Sequence, residues 1–215
     1  MVKRGFRTFL LFAAPWLVLS ACAAGSRLHV PGDLTRPARS VAPTGGASQA
    51  AVLDFSYTAA PDGVLGRDFD RARPIVWKGE PGKAMADLVA GVLVESGVAA
   101  VRRGMDASAA DAVPVRIVGA VRRFEVNTRR TGTVSVITEA TVSMTVTAEG
   151  PGLSAPSQQS VTSSTSFTDL FVTPDGLREA LMSAANASAE EAVRKLLELG
   201  VFPRSPSAPE AGGRK

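Results

Sequence analysis

The chain has 215 residues, a formal net charge of +4, one cysteine and one histidine. The length fits one domain, and a lone cysteine excludes an intrachain disulfide. Part of the basic excess sits at the extreme N-terminus as Lys3, Arg4 and Arg7, so overall basicity is no argument for nucleic-acid binding.

After those three cations comes an apolar stretch from Phe9 to Leu19. It falls short of the roughly 20 apolar residues that cross a bilayer core and has the length of a signal-peptide h-region. It ends in Leu19-Ser20-Ala21-Cys22, which resembles the lipobox of bacterial lipoproteins at every position. The resemblance implies that residues 1–21 are a signal peptide cut before Cys22, and that diacylglyceryl and acyl chains (palmitate) on Cys22 hold the protein to a membrane. Ala23, standing where an Asp would retain such a protein at the inner membrane, implies a periplasm-facing place on the outer membrane. An ordinary signal peptide with an accidental cysteine, or an uncleaved anchor, are the alternatives. Removal of residues 1–21 takes three cations and no acids, so the formal charge falls from +4 to +1. With its thiol lipidated, Cys22 is available neither as nucleophile nor as metal ligand.

Residues 22–49 are rich in Ala, Gly, Ser, Pro and Arg without an apolar period, which reads as the lipidated cysteine followed by a flexible tether. Some 25 flexible residues reach about 25–30 Å. A domain over 50–201 follows, long enough to bury a core, and 202–215 reads as a disordered tail.

Within the domain, Leu53, Phe55 and Tyr57 share one face of a strand over 51–58. A long loop is expected from Ala59 to Lys78, with Pro61-Asp62-Gly63 as turn chemistry. Met85, Leu88, Val89, Val92 and Ser96 recur at helical spacing, predicting a helix over 82–96 that Gly97 closes. A short strand at 98–102 and a strand at 113–126 come next, the latter with a bulge where Arg122-Arg123 breaks the alternation. Alternation is clearest at 133–148: Val134, Val136, Ala140, Val142, Met144, Val146 and Ala148 take one parity, and mostly Thr and Ser take the other. Residues 127–132 read as the hairpin tip before it, and Gly150-Pro151-Gly152 as the turn to a strand at 159–168. Thr173-Pro174 is a strong helix start. The stripe Leu177, Leu181, Ala184, Ser188, Ala192, Leu196 and Leu199 then runs to Gly200. The fold class that follows is α+β: an antiparallel meander sheet with two helices on one face, in the order strand, helix, strands, helix.

The lipobox, the Ala51-Val52-Leu53-Asp54-Phe55 strand, the helix closing in Glu95-Ser96-Gly97-Val98 and the segment Ala110 to Gly119 together resemble the small envelope lipoproteins of the YajG type and the auxiliary lipoproteins of ABC-type transport systems. The layout is also similar to the lipoproteins of curli and exopolysaccharide secretion. These resemblances imply a non-catalytic periplasmic component that assists transport, secretion or assembly through contacts with an envelope protein complex. Beyond Cys22 they carry over no functional residue.

The residues offer little to catalysis. His29 lies in the expected tether, which leaves the domain without a histidine for a triad or a zinc site. Asp68 and Asp70 form a carboxylate pair, but Arg67, Arg71 and Arg73 flank them and read as ion-pair partners on a surface loop. Gly79-Glu80-Pro81-Gly82-Lys83 lacks P-loop spacing and reads as a turn before a helix. No enzyme, cofactor, metal or nucleic-acid partner is therefore expected.

Two features suit binding. Arg122, Arg123, Arg129 and Arg130 flank the 127–132 tip with only Glu125 to offset them, and guanidinium groups pair with phosphates. The tip is a candidate contact for headgroups or an anionic partner, or else a solvated hairpin protected by charge. The Thr/Ser face of 133–147, continued by Ser160, Thr162, Ser164 and Ser166, is a candidate cover site for another subunit, or simply wet. Trp77 is either a core plug or a loop anchor, the core being preferred. A lipid- or polysaccharide-binding carrier, using space between helices and sheet, is the alternative function.

Overall fold

The structure is a computed structural model that describes residues 27–30, 49–58, 62–69, 72–104, 114–150 and 153–202. Cys22, Asp70 and the Gly150-Pro151-Gly152 turn beyond Gly150 lie outside the described residues, as do 203–215.

The elements in chain order are β1 (Leu28–Val30), β2 (Gln49–Leu53), β3 (Ser56–Tyr57), β4 (Val64–Asp68), β5 (Arg73–Trp77), α1 (Pro81–Glu95), β6 (Ala99–Arg103), β7 (Val115–Thr131), β8 (Ser135–Glu149), β9 (Ser157–Asp169) and α2 (Pro174–Glu198). All nine strands join one sheet. Its spine is the antiparallel run β7-β8-β9, which is the meander expected from the alternation at 133–148.

On its other side β7 carries two separate groups of short strands. Its first half pairs in parallel with β2, which pairs in parallel with β6. Further along, β3 and then β4 lie parallel to it, and β4 leads through β5 to the parallel edge strand β1. The sheet is therefore mixed, and the plain antiparallel meander is corrected. Parallel neighbours need a crossover, and α1 supplies it between β2 and β6. Arg102 on β6 ties that unit together, donating to Asp54 and Asp87 at 2.5 Å each and to the Val52 carbonyl at 2.7 Å.

The expected loop over 59–78 is instead largely a hairpin, β4–β5. Leu65 and Ile75–Trp77 are buried in it, so the segment pays its ordering cost with core contacts that a short, irregular apolar pattern conceals. Likewise, Leu28–Val30 is no free tether. Leu28 and Val30 are buried, and His29 points outward between them. The hairpin tip also shrinks, because β7 runs to Thr131 and only 132–134 turn.

The expected strand over 51–58 is broken at Asp54-Phe55 into β2 and β3, but several local signals hold. The bulge falls between Val121 and Arg123, Thr173 caps α2 by accepting from the Gly176 N–H at 3.0 Å, and Gly97 and Gly200 close the helices at φ +85° and +66°. Trp77 is a core residue, stacked on Phe124 with centroids 5.2 Å apart. The helices touch each other and cover the face of β7–β9 that presents Phe124, Val142, Met144 and Val146. Ser188 on α2 satisfies its buried hydroxyl by donating to the Val142 carbonyl at 3.1 Å. Leu199, placed by its spacing on the α2 stripe, lies past the last helical turn and is exposed.

Candidate functional site

Three connections converge at the end of the sheet where β7 finishes: the β4–β5 turn, the β7–β8 turn and the segment from β9 into α2. The register brings them together. Asp68 closes β4 beside Thr128 of β7, and Val136 at the start of β8 pairs with Asp169 at the end of β9. A groove of about 680 Å³ opens there, lined by Leu28, Val134, Leu170, Phe171 and Val172 among apolar residues and by Arg73 and Arg130 among charged ones.

The rim is unusually apolar. Phe171, Phe69, Val134 and Leu170 are 77%, 76%, 69% and 63% exposed, and no other large hydrophobic among the described residues is as exposed as these. All four stand on the three connections at this end. Exposed apolar groups gathered in one place, unlike scattered ones, mark a contact surface.

Beneath the rim sits a buried ion pair. Asp68 is 1% exposed and its carboxylate accepts from Arg73 Nε and Nη2 at 3.1 and 2.7 Å. Thr128 Oγ1 donates to the other carboxylate oxygen at 3.1 Å and accepts the Phe69 N–H at 3.1 Å. The chain β7–Thr128–Asp68–Arg73 thus fixes the base of the turn that carries Phe69. The expected pairing of Asp68 with a neighbouring arginine is present, but in a buried hairpin and not in a surface loop. It is a hydrogen-bonded structural pair, and no group of three or more potential metal ligands occurs among the described residues.

The four arginines do not form one cluster. Arg122 and Arg123 lie at the bulge, eight and seven residues before Arg130 on the same strand, or roughly 25 Å away at strand rise. Arg123 faces Glu125 at 3.6 Å, and Arg129 donates to Glu139 at 2.9 Å. Only Arg129 and Arg130 belong to the groove end. Sequence reading missed the apolar rim because its residues come from three loops. The signal available was the repeated occurrence of bare apolar residues beside turns, at Phe69, Val134 and Leu170-Phe171.

The Thr/Ser face of β8 and β9 is partly self-satisfied. Thr141 and Ser164 hydroxyls lie 3.0 Å apart, and Thr162 donates to Ser143 at 2.9 Å. Such cross-strand pairs support the sheet itself.

No protein-family model matches the sequence, and no curated protein does. Among solved structures, the chain is similar to a Xanthomonas campestris protein of the DUF330 family at 17% identity and a TM-score of 0.53, with 79% of this chain and 95% of that one covered. The fold is shared with that protein. Further matches include the PelC dodecamer of Paraburkholderia phytofirmans, at 17% identity, a TM-score of 0.40 and coverage of 74% and 92%. A minor lipoprotein of Acinetobacter baumannii matches at 11% identity, a TM-score of 0.37 and coverage of 73% and 96%.

Proposed function

We propose that this is a lipid-anchored envelope protein, held through Cys22, that assists transport, secretion or assembly by contacts with other envelope components and not by catalysis. The observation that carries the reading is the Leu19-Ser20-Ala21-Cys22 lipobox, set behind a cationic and apolar leader and only six residues before the first strand of a folded domain. The exposed apolar end, a surface suited to contacts, supports it. The finer attribution, to transport auxiliaries or YajG-type proteins on the outer membrane, belongs to the same proposal and rests on the sequence resemblance.

The carrier alternative needs open space between helices and sheet. Among the described residues that interface is occupied by Leu177, Leu181, Ala184 and Leu196 against Val142, Met144 and Val146, all fully buried, so the contact reading is preferred.

Growth with labelled palmitate tests the anchor. The full-length protein is expected to incorporate label and fractionate with membranes, and Cys22→Ser is expected to do neither. Label retained by Cys22→Ser would end the proposal. In vivo photocrosslinking from the β9 edge, which pairs only with β8, then tests the contact role. A specific envelope protein crosslinked by the wild type is expected, whereas stoichiometric extractable lipid in the purified domain favours a carrier.

A further inference from the structure

We infer that the groove end of the sheet is the membrane-facing end, and that Phe69, Val134, Leu170 and Phe171 insert into the bilayer that holds the Cys22 acyl chains. The inference rests on the lipid-anchor reading and adds to it an orientation and a set of contact residues.

Strand directions and chain length carry it. β7 runs toward the groove end, β4 is parallel to β7, and β5 is antiparallel to β4. β1 is parallel to β5, so its first residue faces the groove end, and Leu28 itself lines the groove. Cys22 stands only six chain steps before Leu28, and at most about 3.3–3.6 Å per step gives a reach of roughly 20 Å.

That reach selects one end of the molecule. Leu28 pairs with Ile75, Ile75 with Gly66, and Gly66 abuts the Val126 carbonyl of β7. From the level of Val126 the turn at 132–134 is about 20 Å away at strand rise, while the start of β7 at Val115 is about 36 Å away. Six chain steps can therefore carry Cys22 to the level of the groove rim but not to the opposite end. The 25–30 Å tether expected from composition is shortened by the pairing of β1.

The four most exposed large hydrophobics among the described residues lie at the end so selected. Leu197 and Leu199, at the far end of α2, are on the side turned away from the membrane. Charge plays the smaller part, because Arg73 is matched by Asp68 and Arg129 by Glu139. Arg129 and Arg130 stand just behind the turn, at the depth where headgroup phosphates meet an inserted loop. Acyl chains on Cys22 hold the protein to the membrane without help, so the loops serve to fix its orientation.

Depth-dependent quenching tests the inference. After removal of residues 1–21 the chain holds one tryptophan, Trp77, which is buried and gives a constant background. Lipidated Phe171→Trp and Leu199→Trp proteins are reconstituted separately into vesicles of phosphatidylethanolamine and phosphatidylglycerol with acyl chains brominated near the headgroup. Phe171→Trp is expected to emit at shorter wavelength on reconstitution and to lose most of its added fluorescence to the bromines, with Leu199→Trp unchanged. Phe69→Trp, on a separate loop, should repeat the result. If the proteins float with the vesicles but Phe171→Trp and Phe69→Trp stay unquenched, or Leu199→Trp is quenched equally, the orientation is overturned while the anchor stands. The rim is then a protein-docking surface. If wild type fails to float, the anchor reading falls and takes the orientation with it.

Discussion

Replacing Asp68 by Asn probes the ion pair under the groove. The substitution keeps size and shape but removes the charge that Arg73 answers through two hydrogen bonds and Thr128 through one. Removing one partner of a buried pair costs roughly 3–5 kcal/mol, because the other charge is left uncompensated. The Arg73 side chain keeps 19% of its exposure, so water relieves part of that penalty and the lower figure of about 3 kcal/mol applies. With a urea m-value near 2 kcal/mol/M, the midpoint should fall by about 1.5 M. The assay is equilibrium unfolding of the mature chain with Cys22→Ser, followed by fluorescence of Trp77 in its stack on Phe124. Thr128→Val, which removes the hydrogen bond given to Asp68 and the one accepted from the Phe69 N–H, should cost about 2 kcal/mol. The double change Asp68→Leu with Arg73→Met should recover most of the Asp68→Asn loss, since apolar replacement of a whole buried pair is often neutral. A loss below about 1 kcal/mol for Asp68→Asn would refute the claim that this pair fixes the hairpin to β7.

Glycines of α1 provide a contrasting pair. A Cβ at Gly82 would lie 1.9 Å from the Phe55 carbonyl oxygen, whereas one at Gly91 meets nothing within 4 Å. Gly82→Ala should therefore cost at least about 2 kcal/mol, and Gly91→Ala should gain about 0.5–1 kcal/mol through helix propensity, both read as urea midpoints. Tyr57 supplies a pH prediction: burial first, and the Glu125 charge second, raise its phenol above 10.0. A raised folded value means its contribution is complete below pH 10 and is lost as pH climbs through the folded value. The stability difference between wild type and Tyr57→Phe should then be constant below pH 10 and shrink above it, and a difference constant throughout would contradict the burial of the phenol.

What the sequence determined by itself was local. The lipobox, the alternation of 133–148, the bulge at Arg122, the Thr173 cap and the glycine stops at 97 and 200 each follow from residues adjacent in the chain. The physics involved, side-chain direction along a strand or the unpaired groups at a helix end, is local too. Tertiary structure alone decided the rest. The β4–β5 hairpin and β1 are short strands whose stability comes from neighbours distant in sequence, so composition read them as loop and tether. The parallel pairing of β2, β3 and β4 along β7 depends on a crossover, which no alternation reports. The same holds for function: Cys22 was legible as a motif, and the four arginines were legible as a charge run that strand geometry then separated. The apolar rim came into being only when three turns met at one end of the sheet. The direction of β1 decides that this end, and not the other, lies within reach of Cys22, because six chain steps have a fixed maximum length.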